Sequence, residues 1–321
     1  MDNTAQQDTI DPFLNEVVDA LSKHPKALPC KYFYDERGSR LFTEICMTPE
    51  YYVTRTELSI MQESVKSIAK AIGPSADIVE FGSGAGEKIR LLLRGLSNPN
   101  SYTPMDISGE ILQQSATQLR QEFPKLSITP VQGDYTQPLN QLGLFKNKNV
   151  DPDGKQIVYF PGSTLSNFTP NEARDFLHQI KCLIGHNGGL LIGIDLIKPK
   201  HILDAAYNDA QGYTAAFNLN MLRHINRELG ADFDENNFRH HAFYNAEKER
   251  IEMHLISQRQ QTVNIAGDSF VFEDQESIHT ENSYKYSISS FTDLAQSASL
   301  QVQQTWTDEQ NLFSVHYLEP V

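Results

Sequence analysis

The stretch DIVEFGSGAGEK, residues 77–88, carries an apolar strand into an acidic residue and three glycines, the arrangement that holds nucleotide-like ligands. Gly82, Gly84 and Gly86 let backbone approach a ligand without Cβ clashes, and a helix starting near Glu87 turns free N–H groups toward it. The spacing is G-x-G-x-G, with Glu80 just ahead, and not the G-x-G-x-x-G of dinucleotide sites; it favours S-adenosylmethionine over NAD. A ligand-free glycine turn is the bland alternative. Ligands of open parallel sheets lie beyond the carboxyl ends of the strands, so the polar residues there belong together. Besides the glycine loop these are Asp106, Gly133-Asp134-Tyr135 and Pro161-Gly162-Ser163-Thr164. Asp106, about 20 residues past the glycines, suits both ribose hydroxyls, and Asp134 suits the adenine exocyclic amine. Either acid alone reads equally well as a helix N-cap; their order along the chain is what points to a nucleoside. Lys88 suits a ligand carboxylate, with a solvated helix lysine as the plain alternative.

Those strand ends need a frame. Strands are expected over 78–81, 102–107, 126–132, 156–160 and 189–195, with helices over 58–72, 88–96, 109–123 and 170–183 between and before them. Such alternation predicts a mainly parallel sheet covered by helices on both faces. After Asp195 the rhythm changes to a helical region over 202–229 and strands over 250–259 and 269–272, an inserted subdomain. A helix over 291–299 and strands over 300–305 and 312–318 then close the sheet. Residues 1–11 read as disordered; Phe13, Val17, Val18 and Leu21 follow at helical spacing, and residues 31–57 are too rich in tyrosine for a linker.

With 27 Lys and Arg against 41 Asp and Glu, the formal charge of −14 argues against a nucleic-acid partner. Cys30, Cys46 and Cys182 are far apart and in no metal spacing, which predicts reduced thiols in a cytoplasmic protein, no disulfide and no metal. No export leader and no membrane-spanning run is expected. His24, His178, His186 and His316 have no partner spacing and read as surface or core residues, and Trp306 as part of the closing sheet.

Beyond these general features, PKALPCKYFYDERGSRLFTEICMTPEYYVTRTE, VEFGSGAGEK, GSTLSNFTP, AYNDAQGYTAAFN, NRELGADFD and KERIEM together resemble the histidine-specific methyltransferase family, from Pro25 to the C-terminus. The resemblance implies an α/β fold, a Rossmann-like class I methyltransferase sheet with a second, substrate-binding α+β domain. That domain would comprise residues 12–57 and 201–285, and the methyltransferase core residues 58–200 and 286–321. The implied activity is S-adenosylmethionine-dependent trimethylation of the L-histidine α-amine to hercynine, in ergothioneine biosynthesis, by a monomer. Position by position, it assigns Gly82, Lys88, Asp106, Asp134 and Tyr135 to the cofactor, with Tyr51 near both cofactor and substrate. Asn167 and Tyr207 clamp the substrate's carboxylate and amine, Tyr34 stands beside the amine, and Gly162 offers backbone near the reacting nitrogen; Tyr34 and Asn167 are the catalytic pair. Glu281 and Ser283 read the imidazole, while Phe42, Thr214 and Met253 form walls. Without the resemblance, Glu281 and Ser283 would read as an exposed polar strand end. The competing readings are an Nα-methyltransferase for another aromatic amino acid such as a prenylated tryptophan, a noncatalytic S-adenosylmethionine binder, and a nicotinamide-dependent oxidoreductase.

Overall fold

Asp11 accepts the Phe13 amide at 2.9 Å and Pro12 fills the first turn, so the chain enters helix α1 (Pro12–Ser22) with its free N-terminal donors already answered. The computed structural model describes residues 11–84, 86–145 and 154–321; the expectation for residues 1–10 lies outside them. A short strand, β1 (Lys26–Ala27), and a 3-10 turn over Cys30–Phe33 lead to α2 (Glu36–Met47) and α3 (Val53–Ile72). Then come β2 (Asp77–Phe81), α4 (Glu87–Gly95), β3 (Ser101–Asp106), α5 (Gly109–Glu122), β4 (Ser127–Ile128) and β5 (Val131–Gln132). The alternation ends with β6 (Gln156–Phe160), α6 (Pro170–Ile184) and β7 (Gly189–Asp195). The insertion holds α7 (Lys200–Ala206), α8 (Tyr213–Leu229), β8 (Phe238–Asn245), β9 (Arg250–Ser257), β10 (Gln261–Ile265), β11 (Asp268–Phe272) and β12 (Ser277–Tyr284). Helix α9 (Ile288–Ser297) and strands β13 (Leu300–Thr307) and β14 (Phe313–Pro320) finish the chain.

The large sheet runs β13-β14-β7-β6-β2-β3-β4, with β5 also on β3. Its β2, β3, β4, β5, β6 and β7 pairings are parallel, and β14 enters antiparallel against β7. Order reverses at β2, which pairs β3 on one side and β6 on the other, so the ligand crevice lies at its carboxyl end. Alternate residues feed two cores: Ile78, Ile157 and Leu191 face α3 and α4, while Val79, Val158 and Ile192 face α6 and α9. This is the mainly parallel, two-sided α/β sheet expected from the alternation.

Three expectations are corrected. The strand expected over 126–132 is two short pieces, because Pro130 between them has no N–H to give the ladder. The helix expected from residue 58 starts at Val53. The helical region over 202–229 is interrupted: Asp209 accepts the Tyr213 and Thr214 amides at 2.9 and 2.8 Å, and Gly212 at φ +77 starts α8 afresh. A second sheet, β1-β12-β9-β8, joins the N-terminal segment to the insertion, with β1 parallel to β12. His316 is buried between Thr305 and Ser314, and the Trp306 indole N–H donates to Ser67 of α3 at 2.6 Å. Among the described residues no helix is long and apolar enough to cross a membrane.

Candidate active site

Beyond β2 the backbone passes through Gly82 and Gly84 at φ +67 and +48, with nothing within 4 Å of where either Cβ would stand. The loop is pinned from β3. The Gly82 and Ser83 amides donate to the Met105 carbonyl at 2.8 and 3.2 Å, and the Gly84 amide donates to Asp106 Oδ2 at 3.1 Å. Asp106 also accepts the Ser108 amide at 2.9 Å, yet burial keeps its carboxyl above the usual range. The Ser83 hydroxyl is buried without a partner among the described residues, an open hydrogen-bonding position in the cradle. Glu80 takes the Tyr102 hydroxyl inside the sheet, and burial pushes it up to about 8. An open glycine cradle, an orphan hydroxyl and a carboxylate at the next strand end fit a nucleoside carrying ribose hydroxyls.

Asp134 follows β5. Its Oδ1 accepts the Thr136 amide and hydroxyl at 2.8 and 2.6 Å, and its Oδ2 accepts Lys31 Nζ at 3.0 Å. Burial opposes ionisation there, but these donors prevail and hold the carboxyl below its ordinary value. Tyr135 packs beside Phe160, Phe81 and Phe176 at 5.6, 5.9 and 6.0 Å between centroids. Lys88 lies in the first turn of α4, where its Nζ is ion-paired with Glu57 of α3. Glu57, fully buried, also accepts the Gly162 amide at 2.9 Å. Gly162, at φ +79, thus has its N–H committed to Glu57.

Tyr34, at the end of the 3-10 turn, meets Phe42 and Phe217 edge-on at 5.7 and 5.6 Å. Tyr51 lies between Phe42 and Tyr207 at 6.2 and 6.3 Å, while its neighbour Tyr52 turns the other way and donates to Asp195 at 2.8 Å. Asn167 closes a 3-10 turn, and its Nδ2 faces Cys30 Sγ at 3.9 Å, leaving Oδ1 with no protein donor among the described residues. Strand register sets Met253 opposite Glu281 and Ile251 opposite Ser283, so the period of two puts Glu281, Ser283 and Lys285 on one face. Glu281 accepts no hydrogen bond among the described residues. Burial pushes its carboxyl up to about 7 against the pull of Lys285. Burial first, and the Glu281 charge second, also push up the Tyr34 hydroxyl and, to about 12, the Cys30 thiol, as expected of groups round one cleft. Tyr135 feels Cys30, Asp106, Asp134 and Glu281 after burial itself, and so stands between the nucleoside end and the Glu281 end. Thr214 is buried behind this wall.

Tyr207, at the end of α7, donates its hydroxyl to Ser283 Oγ at 2.9 Å. Lys285 Nζ, fully buried, lies 2.7 Å from Ser283 Oγ, 3.3 Å from the Tyr207 hydroxyl and 2.7 Å from Asp195 Oδ2. Asp195 pairs as well with Lys198 at 2.6 Å, and the two ammonium groups hold it low against burial, while burial brings Lys198 down to about 8. Sequence reasoning missed Lys285, Asp195, Glu57, Cys30 and Lys31. The alternation Glu281, Ser283, Lys285 was a usable signal for Lys285 once a strand was assumed. Glu57 gave none, because a glutamate on an amphipathic helix reads as solvated until its partners are known.

A sequence model of the family described as "Histidine-specific methyltransferase, SAM-dependent" matches residues 13–320. The chain is similar to the histidine N-alpha-methyltransferase of Mycobacterium tuberculosis, 36% identical over 305 residues that cover 94% of this chain and 92% of that relative. The enzyme of the same description from Mycolicibacterium smegmatis is 38% identical over 293 residues, 90% of this chain and 88% of the relative. Ergothioneine biosynthesis protein 1 of Neurospora crassa is 29% identical over 311 residues, 92% of this chain but 33% of that protein.

Proposed function

Because the chain belongs to the histidine-specific, S-adenosylmethionine-dependent methyltransferase family, we propose that it methylates the α-amino group of L-histidine three times to give hercynine, for ergothioneine biosynthesis. The observation that carries the choice of amino acid is Glu281: a carboxylate with no hydrogen-bond partner among the described residues, on the strand face it shares with Ser283, opposite Met253. A neutral imidazole offers one N–H and one bare nitrogen, and a carboxylate beside a hydroxyl answers both.

S-adenosylmethionine supplies an electrophilic sulfonium methyl when bound. Gly82 and Gly84 leave room for its backbone-proximal part, Asp106 for the ribose, Tyr135 and Asp134 for the adenine, with Asp134 sharing the oxygen that Lys31 holds. Lys88, paired to Glu57, contributes a neutralised charge close to Gly162, and its free donor capacity serves a carboxylate beyond it. The remaining work is alignment of a free amine. Asn167 Oδ1, the Gly162 carbonyl and the Tyr34 hydroxyl accept N–H bonds without presenting a full negative charge, so they orient the amine without holding it as an ammonium ion. Tyr34 stays a neutral phenol because burial raises its pKa. Tyr207 completes the grip on the amino-acid end, Tyr51 bridges toward the cofactor, and their ring faces tolerate the cationic products through cation–π contact.

In this reading residues 12–57 and 201–285 hold the amino acid and residues 58–200 with 286–321 hold the cofactor, which the parallel pairing of β1 with β12 supports. The three free thiols fit a reducing, cytoplasmic setting. Incubation of the purified protein with L-histidine and S-adenosylmethionine, followed by mass counting, is expected to yield a product three methyl groups heavier than histidine. A product from tryptophan but none from histidine would overturn the assignment.

A further inference from the structure

We infer that Lys285 is a specificity-determining positioning residue: it locks the Ser283 hydroxyl as a hydrogen-bond donor, and so restricts the pocket to rings that present an acceptor nitrogen there. The inference rests on the reading of Glu281 and Ser283 as the ring contacts. A serine hydroxyl has one proton and two acceptor positions, and by itself it serves either a donor or an acceptor on a ligand. Here both acceptor positions are taken. Lys285 Nζ, which can only donate, lies 2.7 Å from Ser283 Oγ, and the Tyr207 hydroxyl donates to the same oxygen at 2.9 Å. The Ser283 proton has no acceptor among the described residues, so it is the one group left for a ligand.

Lys285 is itself fixed. Its Nζ is clamped by Asp195 Oδ2 at 2.7 Å, and Asp195 is held in turn by Lys198 and Tyr52. Burial would drive the Lys285 proton off, but the Asp195 charge and the hydroxyls around it keep the ammonium form, with its pKa above the ordinary lysine value. An ammonium that stays charged keeps donating. The face of β12 thus carries an acceptor at Glu281 in its ionised form and a fixed donor at Ser283, one strand repeat apart. That pair matches one tautomer of neutral imidazole and leaves an indole or a pyrrole with a donor facing nothing.

The test uses binding, with S-adenosylhomocysteine present, of L-histidine and of pyrrolylalanine, which keeps a ring N–H but lacks the acceptor nitrogen. The intact protein is expected to prefer histidine on the order of 10- to 100-fold, the effect of one buried hydrogen bond left unmade. Lys285→Met is expected to cut that preference to within about threefold of the Ser283→Ala value, and adding Ser283→Ala to Lys285→Met should then change it little. Tyr207→Phe, which keeps the ring and removes one donor to Ser283, is expected to lower the preference partway and guards against a Lys285→Met protein that does not fold. If Lys285→Met, or Tyr207→Phe where the former is unfolded, weakens both ligands by one common factor and leaves the preference intact, the positioning role is wrong. A Ser283→Ala protein with an undiminished preference sinks it too. Failure of the intact protein to bind histidine at all would instead remove the functional reading beneath it.

Discussion

At the scale of single residues the proposed site turns on Glu281, a carboxylate that accepts no hydrogen bond among the described residues. Removing Glu281 strands one ring N–H in the complex, so Glu281→Ala is expected to reduce kcat/KM for histidine by about 2 to 4 kcal/mol of transition-state binding. Steady-state rates with saturating S-adenosylmethionine measure it, and unchanged kinetics would remove the residue from the ring contacts. The same carboxylate also has a cost. Its folded pKa of about 7 lies above the ordinary glutamate value of 4.5, so between those values the folded state holds more proton than the unfolded one and stability falls as pH rises. Glu80, pushed up to about 8, acts with the same sign but is untouched by the exchange. Glu281→Gln is therefore expected to raise the Tm of the ligand-free protein at pH 8 and to lose that advantage at pH 5, read by thermal melts at both. The glycines and Asp106 were legible as strand-end residues, and they stand at the ends of β2 and β3; Asn167 and Glu281 came only from the family resemblance, since alone each reads as a polar turn or strand residue. Cys30 and Lys31 were not legible, because a thiol facing Asn167 and an ammonium on Asp134 are contacts across 137 and 103 residues that no local pattern encodes.

At the scale of elements, α3, α4, β7 and the turn after β6 meet at one side chain. Glu57 pairs with Lys88, accepts the Gly162 amide, and occupies the space where a Cβ on Gly193 would stand. Phe313 Cζ would lie 2.9 Å from the same Cβ, so neither side can yield. Gly193→Ala is expected to destabilise by about 1 to 3 kcal/mol through overpacking and, by displacing Glu57, to loosen Lys88 and Gly162 together. Thermal melts and S-adenosylhomocysteine titration should move in the same direction; a lower Tm with unchanged affinity would separate Glu57 from the cofactor side. The core strands were readable because a parallel strand covered on both faces is a continuous apolar run, as DIVEF in β2 is. The break in the helical stretch after β7 was not. Both halves keep helical spacing, and the break is a local device, Asp209 accepting the first two amides of α8 with Gly212 in the left-handed region, which apolar periodicity does not register. That turn sets Tyr207 at a helix end, beside β12.

At the scale of the whole molecule, the two sheets are joined through buried charge. Asp195 ends β7 of the large sheet, Lys285 follows β12 of the small one, and Lys198 follows β7, all with 0–2% of their side chains exposed. Removing Asp195, the carboxylate with which both lysines are ion-paired, leaves two buried cations without that partner, a loss of about 3 to 5 kcal/mol. Asp195→Ala is expected to show that loss in urea titrations near pH 6. The folded variant can recover by releasing protons from Lys198 and Lys285, whose pKa values drop once the carboxylate is gone, whereas the unfolded chain keeps both lysines protonated up to about pH 10. Its unfolded state then binds more protons than its folded state, and its stability rises with pH. In the intact protein Lys198 titrates only near 8 and Lys285 higher still, so these two lysines add little pH dependence between pH 6 and 8, and the fall caused by Glu281 and Glu80 is common to both proteins. The deficit of Asp195→Ala should therefore shrink between pH 6 and pH 8. A deficit that stays constant across that range would mean that the lysines find water or other partners in the variant, and that the sheets are held together by apolar packing instead.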